Sequence, residues 1–205
     1  MAALTQTEVA NMALGLLTEA PIDNLDEDSR AARMMRLHFE TTRESELTKR
    51  AWVFALKSEE VEPEERNSSP WRYGYELPAD ALRALPLMEG AYELEWIAEG
   101  SQILTMQGGR RSIQYIANLI DPNDWPSVFT DVLAAALAMK VAHSITGKTS
   151  AMQIAQQSYE NAIATAMALN AVQKRGRAPS GLWEQARAGY ASGSHGARAR
   201  HGWGL

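Results

Sequence analysis

Apolar positions recur at helical spacing near both ends of the chain and at strand spacing between them. Val9, Met12, Ala13, Leu16 and Leu17 form one stripe of 3.6-residue period. Ahead of them, Thr5-x-x-Glu8 makes a capping box, in which hydroxyl and carboxylate each satisfy a backbone N–H that the first helical turn leaves without a partner. The pattern predicts a helix that begins at Thr5 and that Pro21 ends. A second helix is predicted to start near Asp26 or Asp28, whose carboxylates suit an N-cap and the positive end of the helix dipole, and to run to about Arg50. Ala31, Met35, Phe39 and Leu47 should face inward on it, with Arg30, Arg33, Arg36 and Glu40 outside.

Alternation replaces this period at Trp52, Phe54 and Leu56, as in a half-buried strand, and an acidic loop should follow through Glu65. From Leu77 to about Leu119 the pattern predicts four or five short strands. Tyr92, Leu94 and Trp96 share one face of a hairpin that turns near Glu99-Gly100, and "RRSIQYIANL" follows the Gly108-Gly109 turn. Helical spacing returns at "DPNDWPSVFTDVLAAALAMKVAHSITG", with Pro126 suited to the first turn and Gly147 to a left-handed C-terminal position. The last helix opens with Ser150-x-x-Gln153. Its stripe of Ala151, Ile154, Ala155, Ser158, Ala162, Thr165, Ala166 and Leu169 is small enough for close approach of its own bundle, a neighbouring subunit or both.

The expected fold is therefore mainly α with a small β-subdomain (α+β). It is an antiparallel four-helix bundle with an inserted short-stranded β-region and an extended C-terminal arm. Residues 1–50 form the first helical pair, 51–119 the inserted β-subdomain, 120–175 the second pair that completes the bundle, and 176–205 the arm.

Composition narrows the chemistry. A chain of 205 residues with 45% hydrophobic content can bury a substantial core. It has no cysteine, which removes disulfides, thiolate metal sites and cysteine nucleophiles and fits a reducing compartment. The opening residues lack a basic region followed by an apolar one, and the longest unbroken apolar run, Val132 to Met139, falls short of the roughly 20 residues of a membrane span. Synthesis in the cytosol without membrane insertion is expected.

Ala142 to Thr149 fits a relaxed phosphate-loop pattern ending in Gly147-Lys148-Thr149, which would make the chain a small nucleotide-binding enzyme. Such a loop needs a strand before it, whereas Val132 to Ala142 is rich in helix formers and Ala142 stands where the first glycine belongs. A helix–turn–helix connection is the stronger reading. Glu59, Glu60, Glu62, Glu64 and Glu65 supply paired carboxylates, but in a polar, proline-containing stretch where solvation keeps such groups ordinary. His38, His143, His195 and His201 show no metal-ligand spacing, and no serine sits in a nucleophile-elbow pattern. No catalytic centre, cofactor or metal is expected.

Charge is unevenly divided. From Ala171 onward, Lys174, Arg175, Arg177, Arg187, Arg198 and Arg200 stand against Glu184 alone, so six bases and one acid give +5 and leave −10 for the rest of a chain of net −5. Within this segment Leu182, Trp183, Tyr190, Trp203 and Leu205 are costly to leave in water, and Arg187, Arg198, Arg200 and His201 lie among flexible glycines. The composition suits an arm that orders on docking into a partner's groove. A disordered terminus and a nucleic-acid-binding tail, as in a packaging factor, are the alternatives. The acidic remainder, which repels phosphate, weighs against the last.

Three stretches carry a resemblance. "EVANMALGLLTEAPIDNLDEDSRAARMMRLHFETTRESELTKRAWVFALK" has an asparagine-bearing first helix, an I-x-x-L-x-E-D link, an Ala/Arg second helix and a closing W-x-F. With "WRYGYELPADALRAL" and "DPNDWPSVFTDVLAAALAMKVAHSITG", it resembles the head-to-tail adaptor (tail tubular protein A-like) family of short-tailed bacteriophages, over about Glu8 to Ala171. The resemblance implies a structural virion component at the head–tail junction, a homo-oligomeric ring usually of twelve subunits. It further implies a C-terminal arm held by the portal protein, a tail nozzle protein on the opposite face, and genomic DNA that passes through the channel without specific binding. On this reading Leu182, Trp183, Arg187, Tyr190, Arg198, Arg200, His201, Trp203 and Leu205 make up the portal-docking arm.

Overall fold

The structure, a computed structural model, describes residues 3–67, 70–89 and 92–175, with no side-chain description for Arg175. The chain divides into two compact units, Met1–Asn170 and Ala171–Leu205; in the second, the described residues 171–175 are the end of the last helix. Helices α1 (Gln6–Leu16) and α2 (Arg30–Lys49) come first. Strands follow: β1 (Leu56–Val61), β2 (Glu64–Glu65), β3 (Tyr73–Glu76), β4 (Ala81–Ala84), β5 (Met88–Glu89), β6 (Tyr92–Glu93), β7 (Trp96–Glu99), β8 (Gln102–Thr105) and β9 (Arg111–Ala117). Helices α3 (Ser127–Thr146) and α4 (Thr149–Arg175) close the described chain.

This architecture corrects the expected four-helix bundle with a small β-region. Among the described residues, four helices stand beside nine strands in three antiparallel sheets, ordered β1-β9-β4, β2-β3-β8-β7 and β5-β6, a mixed α+β fold. Two physical causes account for the difference. Up to Asn170, α4 commits only a narrow line to the core, with Ala151, Ala155, Ala166 and Asn170 buried while Ile154, Thr165 and Leu169 of the expected stripe are exposed. The supposed acidic loop, for its part, is strand β1, which pairs with β9 from Leu56↔Ile116 to Val61↔Arg111. Lys57, Ser58, Glu59 and Glu60 are exposed on both of its faces, so the backbone ladder forms it and no alternation marks it.

The main core surrounds α3, whose Phe129, Val132, Leu133, Leu137 and Val141 are fully buried against α1 and α2. By length and composition α3 could cross a membrane, yet most of its apolar surface is already covered by its own chain. On α1 the buried face is Val9, Ala10, Ala13, Leu14 and Leu17, a rotation from the expected stripe that leaves Met12 and Leu16 exposed. The Thr5–Glu8 capping box forms as expected. Helix α1 ends before Pro21, because Thr18 adopts a left-handed conformation (φ 58°) while the Glu19 N–H donates to the Leu14 carbonyl at 3.1 Å and the Thr18 N–H to that of Gly15, also at 3.1 Å. Ser29 caps α2, and Asp26 and Asp28 pair with Arg36 and Arg33 instead.

A smaller core of Tyr75, Leu87, Ile103 and Ile113 lies among the strands, with Val61, Leu94 and Trp96 packed against it. Strand β9 serves both cores, since Ile113 belongs to the small one and Ile116 to the main one.

Candidate functional site

The Gly147-Lys148-Thr149 segment is a helix–turn–helix connection. Helix α3 runs straight into it, Gly147 takes a left-handed conformation (φ 69°), its N–H donates to the His143 carbonyl at 3.0 Å, and α4 begins at Thr149. The Lys148 N–H is bonded to Thr146 Oγ1 at 3.0 Å, so it is turned into the cap and away from any phosphate cradle.

The carboxylates of Glu59 to Glu65 do not converge on a pocket. Glu59 and Glu60 project from β1, and Arg110 Nε meets Glu60 at 2.8 Å and Glu62 at 3.7 Å in the open. Among the described residues no group of three or more histidine or acidic side chains is placed to hold a metal. His38 is half-buried on α2, and His143 is exposed on α3. His195, His201 and the other arm residues, Leu182, Trp183, Arg187, Tyr190, Arg198, Arg200, Trp203 and Leu205, lie outside the described residues.

The structure brings together two buried charges that the sequence pattern had not marked. Arg43 lies on the buried face of α2. Its Nη1 donates to Asn118 Oδ1 at 2.6 Å and to the Leu119 carbonyl at 2.8 Å, and its Nε and Nη2 grip Glu40 at 3.1 and 2.6 Å. One turn on, buried Glu46 accepts from Lys49 Nζ at 2.5 Å and from the Tyr159 hydroxyl of α4 at 2.9 Å, while its carbonyl accepts from the Trp52 indole at 2.8 Å. Asn170, farther along α4, accepts from the Val53 N–H and donates to the Ala51 carbonyl. The signal was present: Arg43 and Glu46 continue the spacing of Met35 and Phe39, and Glu40-x-x-Arg43 and Glu46-x-x-Lys49 are i,i+3 pairs.

A third polar cluster ties the sheet edge. Lys57 Nζ donates to Asp80 Oδ2 at 2.7 Å and holds that carboxyl below its usual range. The Tyr115 hydroxyl also donates to Asp80, and burial, then the charge of Asp80, push the phenol up to about 12.

These clusters are scaffolding, and so are the residues behind the resemblance. Asn11 of α1 exchanges two 2.9 Å hydrogen bonds with the Ile22 backbone and so fixes the start of the I-x-x-L-x-E-D link. Trp52 and Phe54 of W-x-F both pack on Phe129 of α3, edge-on and tilted at centroid distances of 5.3 and 5.0 Å, and Trp125 joins them edge-on at 5.8 Å. Tyr75 is fully buried, with its hydroxyl on the Gly109 carbonyl at 2.7 Å. No protein-family model matches the chain, and no curated protein matches it.

Proposed function

We propose that the chain is a structural, non-enzymatic head-to-tail adaptor of a short-tailed bacteriophage, a subunit of a ring that joins the portal to the tail nozzle and lines part of the DNA conduit. The observation that carries this reading is the interlocking of the three resembling stretches. Lys57 at the end of the first stretch meets Asp80 of the second at 2.7 Å, and Trp52 and Phe54 of the first close on Phe129 of the third, so motifs distant in sequence meet in one framework.

Division of labour then follows from charge. The acidic remainder repels the DNA backbone and lets a genome slide past, while the cationic arm, from Leu182 to Leu205, supplies aromatic anchors and guanidinium groups for crevices between portal subunits. Arms tethered to one ring act together, so a modest affinity per arm yields a lasting joint.

Co-sedimentation of the purified chain with portal rings of the same phage tests the proposal, with and without Ser180 to Leu205. The full chain should pellet with the portal and the truncated one should stay in the supernatant. Steeply salt-dependent DNA binding that vanishes with the truncation, without portal binding, would sink the proposal in favour of a packaging factor. Lys148→Ala should leave assembly unchanged, whereas a nucleotide-binding enzyme would lose its ligand.

A further inference from the structure

Helices α3 and α4 are joined by two residues, Gly147 and Lys148. The bond from the Gly147 N–H to the His143 carbonyl is already the i→i−4 bond of a continued helix, and Gly147 leaves the helical path at φ 69° and ψ 6°. The turn has a cost. Helix ends leave the carbonyls of Ser144, Ile145 and Thr146 and the first N–H groups of α4 without intrahelical partners, and the Lys148 N–H falls back on Thr146 Oγ1 at 3.0 Å. With Gly147 in the ordinary helical conformation, the N–H groups of Lys148, Thr149, Ser150 and Ala151 would meet the carbonyls of Ser144, Ile145, Thr146 and Gly147. Helices α3 and α4 would then merge into one rod about 70 Å long. No proline stands between Ser127 and Arg175 to forbid it.

We propose that α4 is an exchangeable element, and that the seat it occupies on its own chain takes the α4 of a second copy. The seat itself fixes the occupant. Ala151, Ala155 and Ala166 are buried in the main core, the Tyr159 hydroxyl donates to Glu46 at 2.9 Å, and Asn170 accepts from the Val53 N–H at 2.9 Å and donates to the Ala51 carbonyl at 3.1 Å. This line of small residues and its two polar ties specify one helix in one register, and another copy supplies the same helix. Departure of α4 strands little behind it: Glu46 keeps Lys49 at 2.5 Å and Arg50 at 3.7 Å, and the Ala51 and Val53 backbone groups open to water. Exchange restores each tie, and the straightened hinge adds the new backbone bonds. What opposes it is the lost freedom of association and the cost of a glycine inside a helix. Short hinges of this kind favour such a trade. A reciprocal trade closes a pair, and one passed from copy to copy closes a ring. The inference goes beyond the adaptor reading and involves neither portal nor nozzle.

The test compares full-length wild type, Gly147→Ala and Thr149→Pro by size-exclusion chromatography with light scattering over a range of concentrations, with circular dichroism to establish that all three are folded. A Cβ at Gly147 meets nothing within 4 Å, so Gly147→Ala acts through the backbone alone, disfavouring the left-handed turn and favouring the straight helix. Thr149→Pro does the reverse, since proline suits the first residue of α4 and breaks a continuous helix. Alanine should raise the ratio of oligomer to monomer at least about tenfold, and proline should lower it by as much. Lys49→Cys/Gln156→Cys in the Gly147→Ala background supplies a second measurement. Lys49 Nζ lies 5.9 Å from the Tyr159 ring, Gln156 precedes Tyr159 by one turn on the same side of α4, and the chain has no cysteine of its own. A flexible bismaleimide should therefore join separate chains into covalent oligomers. Failure to join separate chains, or a ratio of oligomer to monomer that the alanine and proline variants leave unchanged, overturns the inference. Portal binding plays no part in either measurement, so the adaptor reading stands or falls by its own co-sedimentation assay.

Discussion

Arg43 offers the sharpest test of how the helices are fastened to the sheet. Its side chain is 1% exposed, and Arg43→Met keeps most of the aliphatic stem while deleting the guanidinium. The groups it leaves behind are not equally harmed. The Leu119 carbonyl retains the Trp125 indole N–H at 3.0 Å, and the Glu40 carboxylate, 52% exposed, can turn to water. Asn118 Oδ1 loses its 2.6 Å donor in a part-buried site. An unsatisfied buried acceptor costs about 1–3 kcal/mol, and with a small remainder for the screened Glu40 bond the expected destabilisation is about 2–3 kcal/mol. Urea unfolding followed by tryptophan fluorescence should show a lower midpoint at unchanged m-value. Adding Asn118→Leu to Arg43→Met removes the stranded acceptor, so the double variant should be at least about 1 kcal/mol more stable than the sum of the single effects implies. A single variant within about 0.5 kcal/mol of wild type, a range typical of inert surface changes, or a strictly additive cycle would refute the reasoning.

Phe129→Ala empties the meeting point of Trp52, Phe54 and Trp125 and should cost about 3–5 kcal/mol in the same assay. Thr18→Gly should raise stability by about 1 kcal/mol, because a β-branched residue is held at φ 58° where glycine is at ease. Gly108→Ala should lower the melting temperature, since a Cβ there would sit 2.6 Å from the Tyr73 ring. Two pH effects have opposite signs. The folded-state pKa of Asp80 is depressed, so its contribution is present above the ordinary value of 3.8 and is lost as pH falls through the folded value; Lys57→Met should reduce this acid sensitivity. That of Tyr115 is raised from 10.0 to about 12, so its contribution is full below pH 10 and disappears as pH climbs toward 12, a loss that Tyr115→Phe should not show.

The helices were legible where local rules act alone. The Thr5 box and the left-handed Gly147 stop follow from backbone groups that must find partners, and both are present. Which side of a helix turns inward was harder to see. Ala10 and Leu14 lie inward in place of Met12 and Leu16, since apolar residues stand on both sides of α1 and only the tertiary contacts select the buried one. Strand β1 escaped detection because a ladder needs no apolar side chain to form, only a partner strand, and β9 lies about fifty residues away in sequence. Arg43 and Glu46 carry no mark of burial in their residue type, although their positions match the buried stripe.

Strands β1 and β9 span the distance between the two cores, for Val61 and Ile113 reach the small one and Leu56 and Ile116 the main one. Any tug that separates the cores along this pair is borne by two covalent backbones side by side, each anchored in both cores, and the six register pairs keep them in step. A force delivered to the tip of the β-region is therefore passed to the helices through a stiff mechanical strut, and breakage under load should begin elsewhere.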